Sequence, residues 1–488
     1  MEGHEGETIT QFEQQVRVNG KLTQVTLSSD GKFRMETGHR PLNLEKELLG
    51  FNAEGSKITI RALVENRVDV HCVVCSEAKG RERKDIVLET LTEESQRLWC
   101  QKLQAYIDSL DRPKRLFVIV NPFGGKRSAT KIFQDEVKPL LVAANIEYSV
   151  EETQYQLHAK EMAHTLDLSK YDGIVCVSGD GILVEVVNGL LQRADWEVAM
   201  KMPLGMIPAG TGNGMIKSVL DSVGDPCSVT NAVLTVIRGH KVSLDVATIL
   251  QGETKFFSVL MLAWGLIADI DIESEKFRWM GSSRLDFYAL LRIMRLRKYN
   301  GRISFVPAPG FEAYGTPCNK SGYNKLDSSN QNLEAARVQQ PGYQGPNVSF
   351  DDSEWRAIDG PFVGLWLHNV PWGSEDTMPA PNAKFADGYL DLVIIKDCPN
   401  LSLLSLMTKL NDGSHVKSPF VSYLKVKALL LEPGQQSNDP SKGGIIDSDG
   451  EVLARGDRTY QYERGALMAY APMQITIDQG LATLFSAR

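Results

Sequence analysis

Three apolar segments between residues 115 and 208 each lead into a glycine-rich loop and then into a helical pattern. The segments are RLFVIV (115–120), GIVCV (173–177) and LGMIP (204–208), and their loops are NPFGGKRS (121–128), SGDGI (178–182) and PAGTGNGM (208–215). Strands that alternate with helices form a parallel sheet covered by helices on both faces. Backbone N–H groups at the carboxyl ends of such strands, with the helix N-termini that follow, bind phosphates. The sequence therefore predicts an α/β domain with a nucleotide site at one edge of its sheet.

Each of these loops, taken alone, also fits an ordinary turn, because Gly and Asp are residues that turns favour. The first loop is not a P-loop, since Val120 stands where the first glycine is needed and Arg127 where Ser or Thr is needed. The second loop is not a full dinucleotide fingerprint, and its acid would repel a pyrophosphate held against it. We therefore expect Asp180 to face the reacting end of a nucleotide.

The rest of the chain has mainly β patterns. Short segments over residues 16–86 are followed by one amphipathic helical pattern at 91–110. This arrangement is typical of a pleckstrin-homology-like domain. At 488 residues the chain is long enough for several domains, and we expect three. They are a pleckstrin-homology-like β domain with a C-terminal helix over 1–112, the α/β domain over 113–241, and a mainly antiparallel β-sandwich over 242–488.

Composition narrows the classes of function. The net charge of −8 and the pI near 5.6 give no basic surface for nucleic acid. The longest apolar run, FFSVLMLAWGLIA (256–268), is short of the roughly 20 residues that span a bilayer and fits a pair of core strands. Seven scattered cysteines favour reduced thiols, and Cys72 and Cys75 lack a second pair at zinc spacing. We expect a cytoplasmic protein without a signal peptide. Residues 311–355, rich in Asn, Ser, Gly and Gln, are expected to form a mobile loop.

The loop motifs resemble a known family. NPFGGK, SGDGILVEVVNGL and PAGTGNG, in this order, are similar to the catalytic domain of diacylglycerol, ceramide and sphingosine kinases. The strings AWGLIADIDIESEKFRWMGSSR (263–284) and DSDGE (447–451) resemble sphingosine kinases, and HNVPWGSED (368–376) resembles their plant-type members. The resemblance covers about residues 112–485. It implies a diacylglycerol-kinase-type ATP-binding domain, a lipid-substrate domain over 242–488, and phosphorylation of the primary hydroxyl of sphingoid bases by ATP with Mg²⁺.

The resemblance also implies roles for individual residues. Asp180 would be the general base that takes the proton of the lipid hydroxyl, and Asp271 would hold the sphingoid amine. The residues implied at the nucleotide are Asn121, Pro122, Phe123, Gly124, Gly125, Thr153, Ser178, Gly179, Gly210, Thr211, Gly212, Arg278, Arg284, Asp449, Gly450 and Glu451. No Mg²⁺ ligand is assigned. The sequence departs from the animal pattern at Phe123 and at 154–156, which leaves the phosphate and ribose contacts open.

Ordinary structural roles stay open for several of these residues. Arg278 and Arg284 also fit a solvated helix, and IIDSDGEVLARG (445–456) also fits a simple hairpin. Asp269 and Glu273 would share a face with Asp271 if their segment is extended, or all three are ordinary loop charges.

Access to a lipid substrate is the remaining question. The β-rich segments 242–310 and 361–433 are expected to enclose an apolar pocket for one alkyl chain, covered by the helical pattern at 284–299. The basic residues at the C-terminal end of that helix are explained either by a favourable interaction with the helix dipole or by contact with anionic lipid headgroups. The partners implied are a sphingoid base and the surface of intracellular membranes, and a homodimer stays open. The rival functions are a ceramide or diacylglycerol kinase, or a lipid-binding adaptor without activity.

Overall fold

A computed structural model describes residues 11–36, 40–65, 80–125, 127–281, 283–318, 341–346, 355–460 and 465–488. The side chain of Arg278 is not among the described groups. The Cys72 and Cys75 pair and most of the expected mobile loop lie outside these residues. Within the described ranges, no helix has the length and apolarity needed to cross a membrane.

The N-terminal region forms a seven-stranded antiparallel sheet, in the order β4-β3-β2-β1-β7-β6-β5. Its elements are β1 (Gln11–Val18), β2 (Lys21–Ser28), β3 (Lys32–Met35), β4 (Leu42–Asn43), α1 (Leu44–Glu47), β5 (Leu48–Glu54), β6 (Lys57–Glu65), β7 (Arg81–Glu89) and α2 (Glu93–Asp108). Helix α2 begins at Thr92, whose side chain accepts a hydrogen bond from the Ser95 N–H. It buries Trp99 edge-on against Phe12 and Phe33 of the sheet. A β sheet closed by one helix is therefore present, whereas its likeness to a pleckstrin-homology domain stays a prediction.

The next region has the predicted α/β pattern. Its elements are β8 (Arg115–Val120), α3 (Ala129–Ile132), which continues through a π-helical segment (Phe133–Val137) into α4 (Lys138–Ala143), β9 (Glu147–Glu152), α5 (His158–Thr165), β10 (Gly173–Ser178), α6 (Asp180–Leu191), α7 (Trp196–Ala199), β11 (Leu204–Pro208), α8 (Gly214–Asp221) and α9 (Val229–Arg238). Strands β9, β8, β10 and β11 pair in parallel in that order. Strands β8, β10 and β11 are almost wholly buried, as expected where helices cover both faces of a sheet.

The C-terminal region is mainly antiparallel, as expected. Its elements are β12 (Lys241–Gln251), β13 (Thr254–Ser258), β14 (Met261–Gly265), α10 (Leu266–Glu273), a 3₁₀ segment (Ser274–Met280), α11 (Ser283–Met294), β15 (Tyr299–Pro307), β16 (Thr316–Pro317), β17 (Arg356–Asp359), β18 (Gly364–His368), β19 (Leu390–Ile395), α12 (Asn400–Thr408), β20 (Val421–Gln436), β21 (Ile445–Ser448), β22 (Glu451–Arg455) and β23 (Met473–Phe485). Strand β23 pairs antiparallel with β12 and β20 and also meets β11 in parallel, where Leu484 lies opposite Leu204. One continuous sheet therefore joins this region to the α/β region.

The long apolar run at 256–268 contains two strands, but they do not pair with each other. Strand β13 pairs with β12, whereas β14 pairs with β18 and β21. The chain then turns into α10 at Gly265, which has a φ of 82°. A Cβ there would lie 2.7 Å from the Val363 carbonyl oxygen, so this close turn requires glycine.

Part of the segment expected to be a mobile loop lies against the core. The Tyr343 N–H donates to the Leu191 carbonyl at 2.7 Å. The Tyr343 ring lies 4.6 Å from that of Trp196 and 5.8 Å from that of Phe257, between ring centres. The aromatic ring of Tyr343 thus holds residues 341–346 against α6 and β13, although the surrounding composition is polar.

Candidate active site

The glycine-rich loops meet at the carboxyl edge of the parallel sheet. Backbone hydrogen bonds join their first residues to the neighbouring strands: Asn121 N–H to Val177 O at 3.2 Å, and Ala209 N–H to Ser178 O at 3.1 Å. The N–H of Thr153, directly after β9, likewise donates to the Val120 carbonyl oxygen at the end of β8, at 2.9 Å. The sheet thus brings together the three glycine loops after β8, β10 and β11, as the sequence predicts, and the end of β9 lies beside them.

Close backbone contact explains several of the glycines. A Cβ on Gly210 would lie 2.2 Å from the Cα of Gly179, and a Cβ on Gly125 would lie 2.9 Å from the Ala209 carbonyl oxygen. By contrast, a Cβ on Gly181 would have its nearest neighbour, the Asp449 carbonyl oxygen, at 4.0 Å. Glycine at 125, 179 and 210 is therefore needed to let the three loops touch each other.

Asn121 organises the first loop. Its Oδ1 accepts hydrogen bonds from the Phe123 N–H at 3.0 Å and from the Thr153 hydroxyl at 3.3 Å. A Cβ on Gly124 would lie 3.2 Å from the Asn121 Nδ2 and 4.0 Å from the Ser178 hydroxyl oxygen. Asn121, Gly124, Thr153 and Ser178, four of the predicted nucleotide residues, therefore lie together, with Pro122 and Gly125 on the same loop.

The carboxylate of Asp180 is held by the N-terminus of α8. Asp180 is the first residue of α6, and its Oδ2 and Oδ1 accept the N–H groups of Gly214 at 2.8 Å and Met215 at 3.0 Å. Burial raises its pKa above the ordinary value, although these N–H donors act to lower it. The side chain is partly exposed, and each carboxylate oxygen can accept further hydrogen bonds. Asp180 is thus fixed in orientation without being sealed inside the core.

The loop at 368–376 covers the third glycine loop. This contact was not predicted from the sequence. The Glu375 N–H donates to Gly212 O at 2.9 Å, and its Oε1 accepts from the Asn213 Nδ2 at 2.7 Å. A Cβ on Gly214 would lie 2.6 Å from the Trp372 carbonyl oxygen. Thr211, which follows Gly210, is exposed beside this contact. The only signal in the sequence was the family resemblance of the string itself, because no local pattern pairs it with a loop 160 residues earlier.

The DSDG segment forms the predicted hairpin turn. Asp449 and Gly450 have φ values of 54° and 82° between β21 and β22. The Asp449 carboxylate faces inward and accepts the N–H groups at 259–261 at 2.7–3.2 Å. Burial raises its pKa to about 6 despite these donors. The Asp449 side chain is therefore engaged inside the fold, and the turn approaches the loops through its backbone and through Glu451, which accepts a hydrogen bond from Gln156 at 3.1 Å.

Arg284 lies on α11 beside acidic groups. Its Nη1 is 2.5 Å from the Glu275 Oε1 and 2.9 Å from the Ser274 hydroxyl oxygen. It also acts electrostatically on Asp271, whose pKa burial raises and Arg284 lowers. A contact between Arg284 and a phosphate stays a prediction.

The three acids of α10 do not share a face, because the segment is helical and not extended. Residues two apart on a helix point in different directions. Asp269 is buried with the Tyr299 hydroxyl at 2.6 Å and Arg297 at 3.3 Å, and Glu273 pairs with the same arginine at 2.8 Å. Asp271 is partly exposed on the other side. Asp269 and Glu273 are thus structural, and Asp271 alone remains as the candidate for the amine.

The model of the diacylglycerol kinase catalytic domain matches residues 115–249, and that of the YegS C-terminal NAD kinase beta sandwich-like domain matches residues 369–471. Sphingosine kinase 2 of Arabidopsis thaliana is 60% identical over 474 residues, which cover 96% of each chain. The chain belongs to the sphingosine kinase family. Human sphingosine kinase 1 is 34% identical over 358 residues, or 70% of this chain and 87% of that protein.

Other relatives of this sphingosine kinase family member are more distant. Human ceramide kinase is 30% identical over 392 residues, or 76% of this chain and 72% of that protein. A putative diacylglycerol kinase from Bacillus anthracis, known as a solved structure, is 18% identical and aligns with 77% of this chain and 97% of that chain at a TM-score of 0.48. The predicted resemblance and the prediction of a lipid kinase are confirmed by the sphingosine kinases, and the individual site residues stay predictions.

Proposed function

We propose that this protein transfers the γ-phosphoryl group of ATP to the primary hydroxyl of a sphingoid base, with Asp180 as the general base. The observation that carries the proposal is the position of the Asp180 carboxylate, held by the N-terminus of α8 where three glycine loops meet. Membership of the sphingosine kinase family supports the reaction and the class of substrate.

The glycine loops are the proposed bed for ATP. Phosphoryl transfer depends mainly on positioning and on neutralising charge, and loop N–H groups and helix N-termini supply both. Among the residues described, no group of three or more His, Cys, Asp and Glu could hold a metal. Mg²⁺ usually binds one or two carboxylates together with substrate phosphates and water. Mg²⁺ would neutralise charge on the phosphates during transfer.

Asp180 would take the proton of the lipid hydroxyl while the hydroxyl oxygen attacks the γ-phosphorus of ATP and ADP leaves. A general base must lie within hydrogen-bond reach of that hydroxyl and works best when its pKa is closer to neutrality. Burial moves the pKa of Asp180 in this direction. The two N–H donors hold the carboxylate still and leave acceptor capacity for the hydroxyl.

Asp271 would select a substrate with a free amine. Diacylglycerol has no amine, and in ceramide the amine is an uncharged amide, so neither would pair with a carboxylate. Asp271 is partly exposed on α10, which directly follows β14, and β14 pairs with the strand that leads into the DSDG turn. The Asp449 carbonyl oxygen of this turn lies 4.0 Å from where a Cβ on Gly181, at the start of α6, would be, so the amine and hydroxyl sites lie on neighbouring parts of the fold.

The exposed face of α11 would meet the membrane that contains the substrate. Phe287, Leu290, Leu291 and Met294 are exposed at a helical spacing, and Met294 is 68% exposed. Trp279, just before the helix, is 82% exposed. Large exposed apolar patches mark interaction sites, and an apolar helix face can insert at the lipid interface. A peripheral position on intracellular membranes is therefore proposed, with a homodimer left as a prediction.

The basic residues of α11 and of the segment that follows it contribute less to this surface than their sequence suggests. Arg292 is buried beside Asp269, Arg297 pairs with Asp269 and Glu273, and Lys298 pairs with Asp397 at 2.6 Å. These contacts support the purely structural alternative for most of the charges. The apolar stripe, and not the basic end, supports membrane contact.

The alkyl chain would occupy the apolar layer between α10, α11, α12 and the sheet. Its buried members include Ile267, Ile293, Val393 and Leu403. A separate cavity of about 10 Å³ between β12, β14 and β18 is far smaller than a typical ligand pocket. The helices that cover the apolar layer would therefore have to move apart when the lipid enters.

A substrate panel tests this function. Purified wild-type protein is incubated with ATP, Mg²⁺ and either sphingosine, phytosphingosine, ceramide or diacylglycerol, beside an Asp180→Asn variant. We expect phosphorylation of the two sphingoid bases only, with activity at least about 100-fold lower in the variant. Thermal unfolding of both proteins controls for a loss of structure. Preferred phosphorylation of ceramide or diacylglycerol, or full activity of the variant, would contradict the proposal.

A further inference from the structure

Asp447 is a buried acid without an ordinary partner. It lies in β21, opposite Ala263 of β14, and is fully buried. In the described part of the chain, no N–H or hydroxyl group of another residue donates to either of its carboxyl oxygens. Burying a charged carboxylate in this way is costly, and each buried polar group without a donor calls for an explanation.

The charged neighbours of Asp447 are Asp271 and Asp449, and a side-chain hydrogen bond joins Asp447 to Asp271. Two carboxyl groups form a hydrogen bond only when one of them carries a proton. Burial and the charges of Asp271 and Asp449 raise the pKa of Asp447 well above its usual range. The pKa of Asp271 is also raised by burial, but Arg284 and the hydrogen bond to Asp447 lower it. Of the two carboxyl groups, Asp447 therefore has the more strongly favoured protonated form, and it is the donor to Asp271.

The other charged groups around the pair come from three elements. Arg284 faces it from α11, Glu275 from the 3₁₀ segment, and Asp449 from the turn after β21. Arg284 already pairs with Glu275 at 2.5 Å. The positive and negative charges of that pair offset each other, so the two aspartates together present about one negative charge.

We propose that Asp447 is a positioning residue for the substrate amine: it keeps its proton and, by its hydrogen bond, orients the carboxylate of Asp271 toward the ammonium group. This inference rests on the proposed function, in which Asp271 binds a sphingoid base. The partly exposed Asp271 contacts the amine, while the buried Asp447 acts behind it. The single negative charge of the two aspartates then pairs with the positive charge of the ammonium group. The neutral amide of a ceramide would gain no such ion pair.

Two substitutions separate orientation from simple packing. Asp447→Asn keeps the size of the side chain and an N–H donor toward Asp271. Asp447→Leu replaces the carboxyl group with an apolar group of similar size and so removes the hydrogen-bond donor. We expect Asp447→Asn to retain the wild-type KM for sphingosine within about threefold. In Asp447→Leu this KM rises about tenfold, as expected for the loss of one hydrogen bond to a charged group, while kcat and the KM for ATP change little.

A matched control is Ser448→Ala on the same strand. The Ser448 hydroxyl donates to the Met261 carbonyl at 2.7 Å, so its loss lowers stability but should leave the KM for sphingosine unchanged. An unchanged KM in Asp447→Leu would overturn the inference, and so would an Asp447→Asn variant as impaired as Asp447→Leu.

Infrared spectroscopy supplies a second readout if Asp447→Leu fails to fold. At neutral pH the carbonyl band of protonated buried acids should be weaker in Asp447→Asn than in the wild-type protein, by the contribution of one carboxyl group. A spectrum without this difference would overturn the inference. If the wild-type protein phosphorylates no sphingoid base, the proposed function fails. If it does, and the variants behave like it, only the role of Asp447 fails.

Discussion

Gly179 and Gly210 are in direct backbone contact, although 31 positions separate them in the chain. A Cβ on Gly210 would lie 2.2 Å from the Cα of Gly179, well inside contact distance. The loops after β10 and β11 can therefore approach each other this closely because neither carries a side chain at this point.

Gly210→Ala should separate these loops. The added methyl group cannot fit without a backbone shift, which costs about 1–3 kcal/mol of stability, and we expect most of the kinase activity to be lost. Gly181→Ala is the matched control for stability, since its Cβ has no neighbour nearer than 4.0 Å. Urea unfolding and a kinase assay of both variants check this. Equal stability and activity of Gly210→Ala and wild type would contradict it.

Glu375→Ala should loosen the third glycine loop. The variant loses the hydrogen bond from the Asn213 side chain, which is worth about 1.5–3 kcal/mol for a charged acceptor. We expect a severalfold higher KM for ATP and an unchanged KM for the lipid. Glu375→Gln keeps an acceptor oxygen and should stay near wild type. Steady-state kinetics with each substrate varied in turn would reveal a different outcome, such as an effect on the lipid alone.

Stability should fall as the pH rises from about 4.5 to 7, in part because of Glu185. Burial raises its pKa to about 7, with a further contribution from the charge of Glu451. In this window the folded state holds a proton that the unfolded state has released, so raising the pH favours unfolding. Asp449 and Asp245, each with a pKa raised to about 6, act with the same sign.

Glu185→Gln isolates the contribution of this residue. Relative to wild type, the variant should gain stability between pH 5 and pH 8, by up to about 3 kcal/mol. Urea unfolding of both proteins at the two pH values measures the difference. Parallel pH dependences of the two proteins would show that Glu185 does not titrate in this range.

Leu290→Glu on the exposed face of α11 should weaken membrane binding. A charged side chain in the apolar stripe cannot enter the lipid interface. We expect severalfold weaker sedimentation with phospholipid vesicles, while activity on sphingosine in detergent is retained. Val198→Glu is the matched control, because Val198 is exposed on α7, outside the stripe. Equal vesicle binding by both variants would argue against this surface.

Local patterns predicted the elements that local physics determines. The buried strand β10, the amphipathic helix α2 and the Asp449–Gly450 turn follow from periodicity and turn preferences. The meeting of the glycine loops followed from one rule, that parallel strands end at the same edge of a sheet.

Contacts distant in sequence could not be predicted in this way. Residues 266–273 are helical because the chain turns at Gly265, where it packs against Val363. No neighbouring residue in the sequence indicates this turn. Glu375 on the third glycine loop and the facing carboxyl groups of Asp447 and Asp271 likewise join parts of the chain more than 150 residues apart. The inward rotation of Asp449 was missed because its turn motif describes the backbone and not the side chain.

The position of β23 has a consequence for how this protein is synthesised. Leu484 pairs with Leu204, so this edge of β11 stays unpaired until a strand 280 residues further along the chain has been translated. Pairing over such a distance is slow, and an unpaired strand edge invites association with other chains. The α/β region (residues 113–241) expressed by itself would retain this open edge, and we expect it to aggregate.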